Sequence, residues 1–204
     1  MKKVLLLSNG LDTDELAIAL NARRIELCQI EPNLRVGAVV DEAIAADLFA
    51  NHSGFVGLIF APAFPMDSDG QTSLDEMSDL LVTNFTYLKA ALTSFEERNI
   101  PGRLISLLPG DAAMGDPAQF VNSTLAGAML SLFRTVALEL RKKPITANTL
   151  MYSTASEAAS SSAVLADPAA IAALIEALLA SSTGCVNGQE IYAQGAADVG
   201  RLHP

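Results

Sequence analysis

The sequence predicts an α/β fold, namely a single Rossmann-like domain with a doubly wound parallel sheet of about six or seven strands and helices on both faces. Three observations predict it. Apolar runs of strand length alternate with segments of helical period along the whole chain. The run at 55–61 is continuously apolar, as in a central strand that is covered on both faces. Neither an internal repeat nor a shift in composition divides the chain, so residues 1–204 are interpreted as one domain.

The strands are predicted from short apolar runs that are bounded by turn-forming residues. They cover residues 3–7, 24–30, 36–40, 55–61, 103–108, 145–151 and 189–193, and the run at 36–40 is the weakest of them. Residues 62–73 and the Ser/Ala-rich residues 153–168 are interpreted as loops.

The longer helices are predicted from apolar residues that recur at intervals of three and four. They cover residues 73–98, with a capping box of Ser73 and Glu76, residues 118–141, and residues 168–180, with Pro168 in the first turn. In the first of them the apolar positions are Leu74, Met77, Leu81, Phe85, Leu88, Leu92 and Phe95.

The composition excludes several classes of function. A net charge of −10 repels nucleic acid over most of the surface. The apolar runs are too short for a bilayer span, and the start of the chain lacks the core of a signal peptide, which predicts a cytoplasmic protein without a membrane partner. His52 and His203 lie far apart, so neither a metal site nor a Ser-His-Asp triad is expected. Cys28 and Cys185 are predicted to be buried free thiols.

The stretch LLLSNGLDTDEL, residues 5–16, predicts a strand, a tight turn and the start of a helix. Many α/β proteins hold a nucleotide pyrophosphate at such a corner, over a run of glycines. The corresponding positions form only a degenerate loop here and are Ser8, Asn9, Gly10 and Asp12. Asp12, or alternatively Thr13, is predicted to cap the helix, and the carboxylates that follow satisfy its dipole. We therefore expect weak or no dinucleotide binding, and no cofactor.

Several segments, in the same order and at similar spacing, resemble the short-chain dehydrogenase/reductase family. They are GFVGLIFAPAF, in the place of the family's strand-four motif, SLDEMSDLLVTNFTYLKAAL, IPGRLISLLPG, AGAMLSLFRTVALELRKKPITANTLMYS and GCVNGQEIYAQGA. The resemblance covers most of the chain, is clearest from residue 54 onward, and implies the Rossmann-like fold.

The catalytic residues of the family are largely replaced. Counting back from ALEL, the family's tyrosine falls on Asn122 and its lysine on Ala126, and a frame shifted by two gives Phe120 and Thr124. The resemblance leaves three remnants: Asn84, at the family's catalytic asparagine, Ser106, near the serine position, and Tyr152, at the end of the sixth strand. No catalytic residue is therefore expected, because asparagine donates no proton at neutral pH and alanine supplies no charge.

The residues and the resemblance together predict a catalytically degenerate protein that acts as an assembly or regulatory partner. One alternative is a divergent NAD(P)-dependent oxidoreductase of the carbonyl or ketoacyl reductase type, with Tyr152 or a partner's residue as the acid. The other is a small-molecule binding protein that uses the cleft at the rim of the sheet.

Assembly is predicted through the helices at 73–98 and 118–141, which commonly pair across a dimer axis in the family. The partner is either a second copy or an active relative from the same family. A second stripe of small and apolar residues on the later helix supports this prediction and consists of Ala126, Ala128, Leu130 and Ala137.

Overall fold

Strands and helices alternate along the chain in the computed structural model, as the sequence predicts. The structure describes residues 1–8, 11–30, 40–52, 54–62, 74–115, 120–153, 163–180, 182 and 184–193. The prediction of a strand at 36–40, the capping box at Ser73 and most of the two predicted loops lie outside these residues.

Where an element was predicted and lies in the described residues, its observed bounds agree closely with the predicted ones. The strands are β1 (Lys2–Ser8), β2 (Leu11–Asp12), β3 (Ile25–Ile30), β4 (Gly57–Ala61), β5 (Gly102–Pro109), β6 (Ile145–Tyr152), β7 (Ala163–Val164) and β8 (Glu190–Tyr192). The helices are α1 (Asp14–Ala22), α2 (Glu42–Ala50), α3 (Leu74–Arg98), α4 (Gly110–Met114), α5 (Phe120–Glu139) and α6 (Pro168–Leu178), and a 3-10 turn (Leu140–Lys142) follows α5.

Six of the described strands form one parallel sheet in the order β3-β1-β4-β5-β6-β8. The chain starts in β1, moves outward to β3, and then crosses back to β4 and continues to β8. This reversal of direction is the doubly wound arrangement, and it places the carboxyl ends of all six strands at one edge. The predicted fold class is therefore confirmed.

Each face of the sheet carries its own hydrophobic core, because successive residues of a strand point to opposite faces. Leu5 and Leu7 point to the face covered by α2, α3 and α5. Val4 and Leu6 point to the face covered by α1 and α6. Both sets are at most 1% exposed, which explains why these strands read as continuous apolar runs in the sequence.

The helix α5 belongs to the core of this fold. Among the described residues, the segment Phe120–Lys142 is long and apolar enough to cross a bilayer by length and composition, and 39% of its apolar 18-residue window is buried. Its buried side chains, which include Leu125, Met129 and Phe133, pack against the sheet. A helix that packs against the core of a domain passes the same test, so the segment is weak evidence for a membrane span.

Three sequence expectations are wrong in detail. Cys185 is exposed and Cys28 is half-buried, although both are free thiols as expected, because Cys28 lies on the edge strand β3 and Cys185 lies in the turn before β8. The supposed surface stripe of α5 is mostly core: Ala126, Leu130 and Ala137 are 0%, 8% and 4% exposed. The helix is buried over a wider arc than expected because it packs on β5 and β6 and also touches α3 and α4.

The third error concerns α3. Phe85 and Leu74, which the periodicity places on the core stripe, are 52% and 83% exposed. Met77, Leu88 and Phe95 of the predicted stripe are buried. The buried face continues to Leu80, Tyr87 and Ala91 and leaves out Phe85. The apolar residues of α3 therefore cover the core and also part of the surface.

Candidate functional site

The carboxyl edge of the sheet is where ligands bind in this architecture. The end of β1 brings Ser8 there, where the side chain is 1% exposed and its Oγ has no hydrogen-bond partner among the described residues. Asn9 and Gly10, the next two residues of the degenerate loop, lie outside the described residues. The chain resumes at β2 and enters α1.

The start of α1 is capped by the chain itself. Asp12 Oδ1 accepts a hydrogen bond from the backbone N–H of Asp14 at 3.1 Å, as the first of the two predicted arrangements requires. The Thr13 hydroxyl donates instead to Gln29 Oε1 at 2.7 Å, so it does not cap the helix. Asp14 and Glu15 supply negative charge in the first turn. One of the N–H groups that would face an anion is therefore engaged, and the helix dipole is already balanced.

A second contact at this corner is not visible in the sequence pattern. The two-residue strand β2 pairs in parallel with β7, with Leu11 opposite Ala163 and Asp12 opposite Val164. Leu11 is 8% exposed and belongs to the core on the α1 and α6 side. The segment that leads into α6 thus lies beside the entrance to α1 and is paired with it.

The positions that the resemblance assigns to the family's tyrosine and lysine lie on α5. Asn122 is half-buried, and Ala126 is fully buried against the sheet. Phe120 and Thr124, the shifted alternatives, are exposed, and the Thr124 hydroxyl donates to the Phe120 carbonyl oxygen at 2.9 Å. The resemblance thus assigns a carboxamide and a methyl group to the positions of the family's phenol and ammonium.

Two of the remnants are buried on the same side of the sheet. Asn84 lies in the middle of α3 and is 2% exposed, and Ser106 lies on β5 and is 0% exposed. Neither Asn84 Oδ1 nor Ser106 Oγ has a hydrogen-bond partner among the described residues. Ser106 lies on the same face of β5 as Leu104 and Leu108, and this face points toward α3 and α5. The strand register places Thr149 beside it, so this face contains several polar side chains in an apolar core.

The third remnant, Tyr152, points to the opposite side. It ends β6, pairs with Pro109 in the register, and packs in the core between the sheet and the α1 and α6 layer. It is 6% exposed, and desolvation by burial raises the pKa of its phenol far above the ordinary value. The structure therefore does not bring Tyr152 onto the face that carries Asn84 and Ser106.

The described part of the chain contains no cluster of side chains that could bind a metal ion. No group of three or more histidine, cysteine, aspartate or glutamate side chains is close enough there to hold a metal ion.

Solved structures superpose on almost the whole chain. A short chain dehydrogenase from Bacillus anthracis str. 'Ames Ancestor' matches with a TM-score of 0.71 at 14% identity, over 94% of each chain. A short chain dehydrogenase family protein from Francisella tularensis subsp. tularensis SCHU S4 matches with a TM-score of 0.65 at 15% identity, over 94% of this chain and 96% of that one. The fold is that of the short-chain dehydrogenases.

A further match is 4-hydroxyisoleucine dehydrogenase, whose structure contains NADH and succinate, with a TM-score of 0.67 at 14% identity over 93% of this chain and 96% of that one. No family model and no curated protein sequence matches the chain. At these identities the likeness establishes the fold and leaves the activity open.

In this short-chain dehydrogenase fold, Asn187 and Gln189, which lie just before β8, form hydrogen bonds with β6. Asn187 Nδ2 donates to the Ala137 carbonyl oxygen on α5 at 2.8 Å, and its Oδ1 accepts from the Ala147 N–H at 2.9 Å. Asn148, from the segment that carries the resemblance, donates to the Val186 carbonyl oxygen at 2.9 Å and accepts from the Gln189 N–H at 3.0 Å. These two asparagines tie β6 to the segment before β8, and no local pattern in the sequence predicted the pairing.

Proposed function

We propose that this chain is a short-chain dehydrogenase-fold protein without reductase activity, and that it acts by assembling with another copy of itself. The proposal rests on the start of α1. There Asp12 accepts a hydrogen bond from the Asp14 N–H, and β2, which leads into the helix, pairs with β7. A reductase with this fold has to bind a dinucleotide and supply a proton, and the residues present are poorly suited to both. A cytoplasmic location agrees with this proposal.

The first of those functions is to hold a dinucleotide, and the described residues at the corner do not fit one. A pyrophosphate there would meet the carboxylates of Asp12, Asp14 and Glu15, which lie on the first turn or directly before it. At about 4 Å each unit of like charge costs on the order of 1–4 kcal/mol, depending on screening by solvent. The capped N–H of Asp14 is also unavailable to a phosphate oxygen.

The second function is to supply a proton. A general acid works best when its pKa lies near the working pH, and burial moves the pKa of Tyr152 in the opposite direction. Its ring also lies across the sheet from Asn84 and Ser106. Asn122 cannot replace it, because a carboxamide does not release a proton at neutral pH.

The proposal is tested by titrating the protein with NADH and with NADPH and following the emission of the nicotinamide. The chain contains no tryptophan, so the protein contributes no indole emission to the signal. We expect no saturable change at micromolar protein, whereas 4-hydroxyisoleucine dehydrogenase under the same conditions serves as the positive control. Saturable binding with one cofactor per chain would contradict the proposal.

Assembly is proposed through the outer faces of α3 and α5, which contact each other in the monomer. On α3, Val82 and Phe85 are 44% and 52% exposed, and on α5, Phe120 and Leu138 are 73% and 63% exposed. Between the last two, the exposed positions of α5 are mainly small or uncharged and comprise Thr124, Gly127, Ser131, Arg134 and Thr135. A second copy presents the same surface, so the contact is self-complementary about a two-fold axis.

The assembly is tested by light scattering coupled to size-exclusion chromatography. We expect a dimer for the natural chain and a monomer for Phe85→Glu, because a carboxylate would be desolvated in the contact. Ile18→Glu is the matched control, since Ile18 is 64% exposed on α1, which covers the opposite face of the sheet. A monomeric natural chain, or a dimeric Phe85→Glu chain, would contradict a homodimer, and co-elution with an active short-chain reductase would then identify that relative as the partner.

One observation favours the alternative of a divergent NAD(P)-dependent oxidoreductase. Ser8 Oγ, Asn84 Oδ1 and Ser106 Oγ are buried without hydrogen-bond partners in the described residues, and a bound ligand or water would satisfy them. The same cofactor titration decides between the two functions. A small metabolite that remains bound to the purified protein, without any response to NADH or NADPH, would instead favour the small-molecule binding protein.

A further inference from the structure

The edge of the sheet opposite the candidate site contains a cavity of about 480 Å³. It lies where β1, β4 and β5 begin, and we call it the amino-edge cavity. Its walls are largely apolar and include Phe55, Val56, Ile100 and Leu179. Two cations, Lys2 and Arg103, also line it. The volume lies within the range of small-molecule pockets, which is roughly 300–1,000 Å³.

Arg103 is the unusual member of this lining because its guanidinium is buried. The residue is 8% exposed, and desolvation lowers the pKa of the guanidinium from its ordinary value. Its hydrogen bonds within the described chain both come from Nη1, which donates to the carbonyl oxygens of Gly102 at 2.9 Å and Pro144 at 3.4 Å. Nε is buried without a partner there. The Nε–Nη2 edge, which matches the two oxygens of a carboxylate, thus makes no hydrogen bond to the described residues.

Lys2 adds a second positive charge on the same side of the sheet. Lys2 lies two residues before Val4, and Arg103 lies two residues before Ile105. Because residues i and i+2 of a strand share a face, both cations point to the face that is covered by α1 and α6. Lys2 Nζ donates to the Leu179 carbonyl oxygen at 3.3 Å, which holds the ammonium beside the cavity. Among the described residues no carboxylate forms a salt bridge with Lys2 or Arg103. Two cations without an ion pair in the described part of the chain therefore line one cavity of a protein whose net charge is −10.

The apolar wall is held in place by its own contacts. The Phe55 ring packs edge-on against Phe95 with ring centroids 5.0 Å apart, and the Arg98 guanidinium lies 5.0 Å from the Phe55 centroid. Arg98 is fixed in turn by hydrogen bonds from its Nη2 to the carbonyl oxygens of Phe49 and His52. A wall that is already ordered reduces the entropy cost of binding an apolar group against it.

We infer that the amino-edge cavity binds an apolar carboxylate, with the carboxylate on the Nε–Nη2 edge of Arg103 and near the Lys2 ammonium, and the hydrocarbon against Phe55, Val56 and Ile100. The bound anion would give the buried guanidinium the counter-charge that the described chain does not provide. This site lies at the opposite edge from the corner that a dinucleotide would occupy, so the inference is independent of the proposed function.

Isothermal titration calorimetry with octanoate tests the inference, with acetate and 1-octanol as the two half-ligands. We expect saturable binding of one octanoate per chain, and much weaker binding of acetate, which lacks the chain, and of 1-octanol, which lacks the charge. Equal affinity for 1-octanol and octanoate, or no octanoate binding at millimolar concentration, would overturn it.

Variants assign the binding to this cavity. Arg103→Gln is expected to raise the octanoate Kd by roughly tenfold or more, because a bidentate charge-assisted contact is lost. Lys2→Gln is expected to raise the Kd less, and Lys3→Gln, the same change on the opposite face of β1, is expected to leave it unchanged. Ile100→Trp is expected to fill the cavity and abolish binding, which keeps the test decisive if Arg103→Gln fails to fold. Unchanged affinity in both Ile100→Trp and Lys2→Gln would overturn the assignment.

Discussion

Leu179 packs directly on Gly57, since a Cβ atom added to Gly57 would lie 2.5 Å from Leu179 Cδ2. The same Cβ would lie 3.1 Å from the carbonyl oxygen of Arg103 on the neighbouring strand. The glycine is therefore required by close approach, because the residue after α6 covers the start of β4 with no space for a side chain between them.

Gly57→Ala is expected to lower the free energy of unfolding by about 1–3 kcal/mol, because the added methyl group overpacks this contact. The double variant with Leu179→Ala should lose less than the sum of the two single changes, since removing the leucine branch makes room. Urea denaturation measures both. Additive losses in the double variant would contradict the packing argument.

Asp12→Ala is expected to destabilise the protein by about 1 kcal/mol, because the N–H of Asp14 loses its side-chain acceptor. Asp12→Asn should cost much less, since its amide oxygen still accepts that hydrogen bond. Thermal unfolding at constant protein concentration compares the two variants. Equal losses would show that the charge of Asp12, rather than its oxygen acceptor, stabilises the start of α1.

The three tyrosines of the chain are expected to resist ionisation while the protein is folded. Burial raises the pKa of Tyr152 most and also raises those of Tyr87 and Tyr192, with Glu190 adding to the effect at Tyr192. Above about pH 10 the unfolded chain loses phenolic protons that the folded chain retains, so stability is complete below that pH and falls as pH rises through it.

Absorbance at the tyrosinate band measures this directly, since the chain lacks tryptophan. We expect the tyrosinate signal to rise together with alkaline unfolding rather than before it. Tyr152→Phe should reduce the alkaline loss of stability more than Tyr192→Phe does. A tyrosinate signal that develops near pH 10 in a chain that circular dichroism shows to be folded would contradict the expectation.

Asn187→Ala is expected to cost about 1–3 kcal/mol, because it leaves the Ala147 N–H and the Ala137 carbonyl oxygen without their side-chain partner. Gln189→Ala is the matched control, since that exposed side chain donates only to the nearby Asn187 carbonyl oxygen at 3.1 Å. Its effect should stay within about 0.5 kcal/mol. Urea denaturation of the two variants tests the contrast, and equal losses would argue against a bridging role for Asn187.

Local pattern predicted most of the fold. The apolar run at 3–7 becomes β1, and the helices at 73–98 and 118–141 begin and end within a few residues of their predicted bounds. The helix α2 was not predicted, because its apolar residues surround the axis and give no stripe at helical spacing. The pairing of β2 with β7 was not predicted either, since two-residue strands carry no periodicity.

The candidate site was predicted less completely, for a related reason. The spacing of residues 12–15 identified the cap and the acidic first turn, because both depend on neighbours within one helical turn. The surroundings of Asn84, Ser106 and Tyr152 depend on which face of the sheet each one points to. The resemblance gave their positions in the chain, but only the strand register separates Tyr152 from the other two.

The sequence by itself determined most of the elements and their order, since each of these follows from spacing along the chain. The tertiary structure alone decided that Lys2, Val56, Arg103 and Leu179 line one cavity. These residues are distant in sequence and meet because β1, β4 and β5 lie side by side in parallel, with the end of α6 across their amino ends. Contacts of that kind depend on strand order, which local periodicity does not encode.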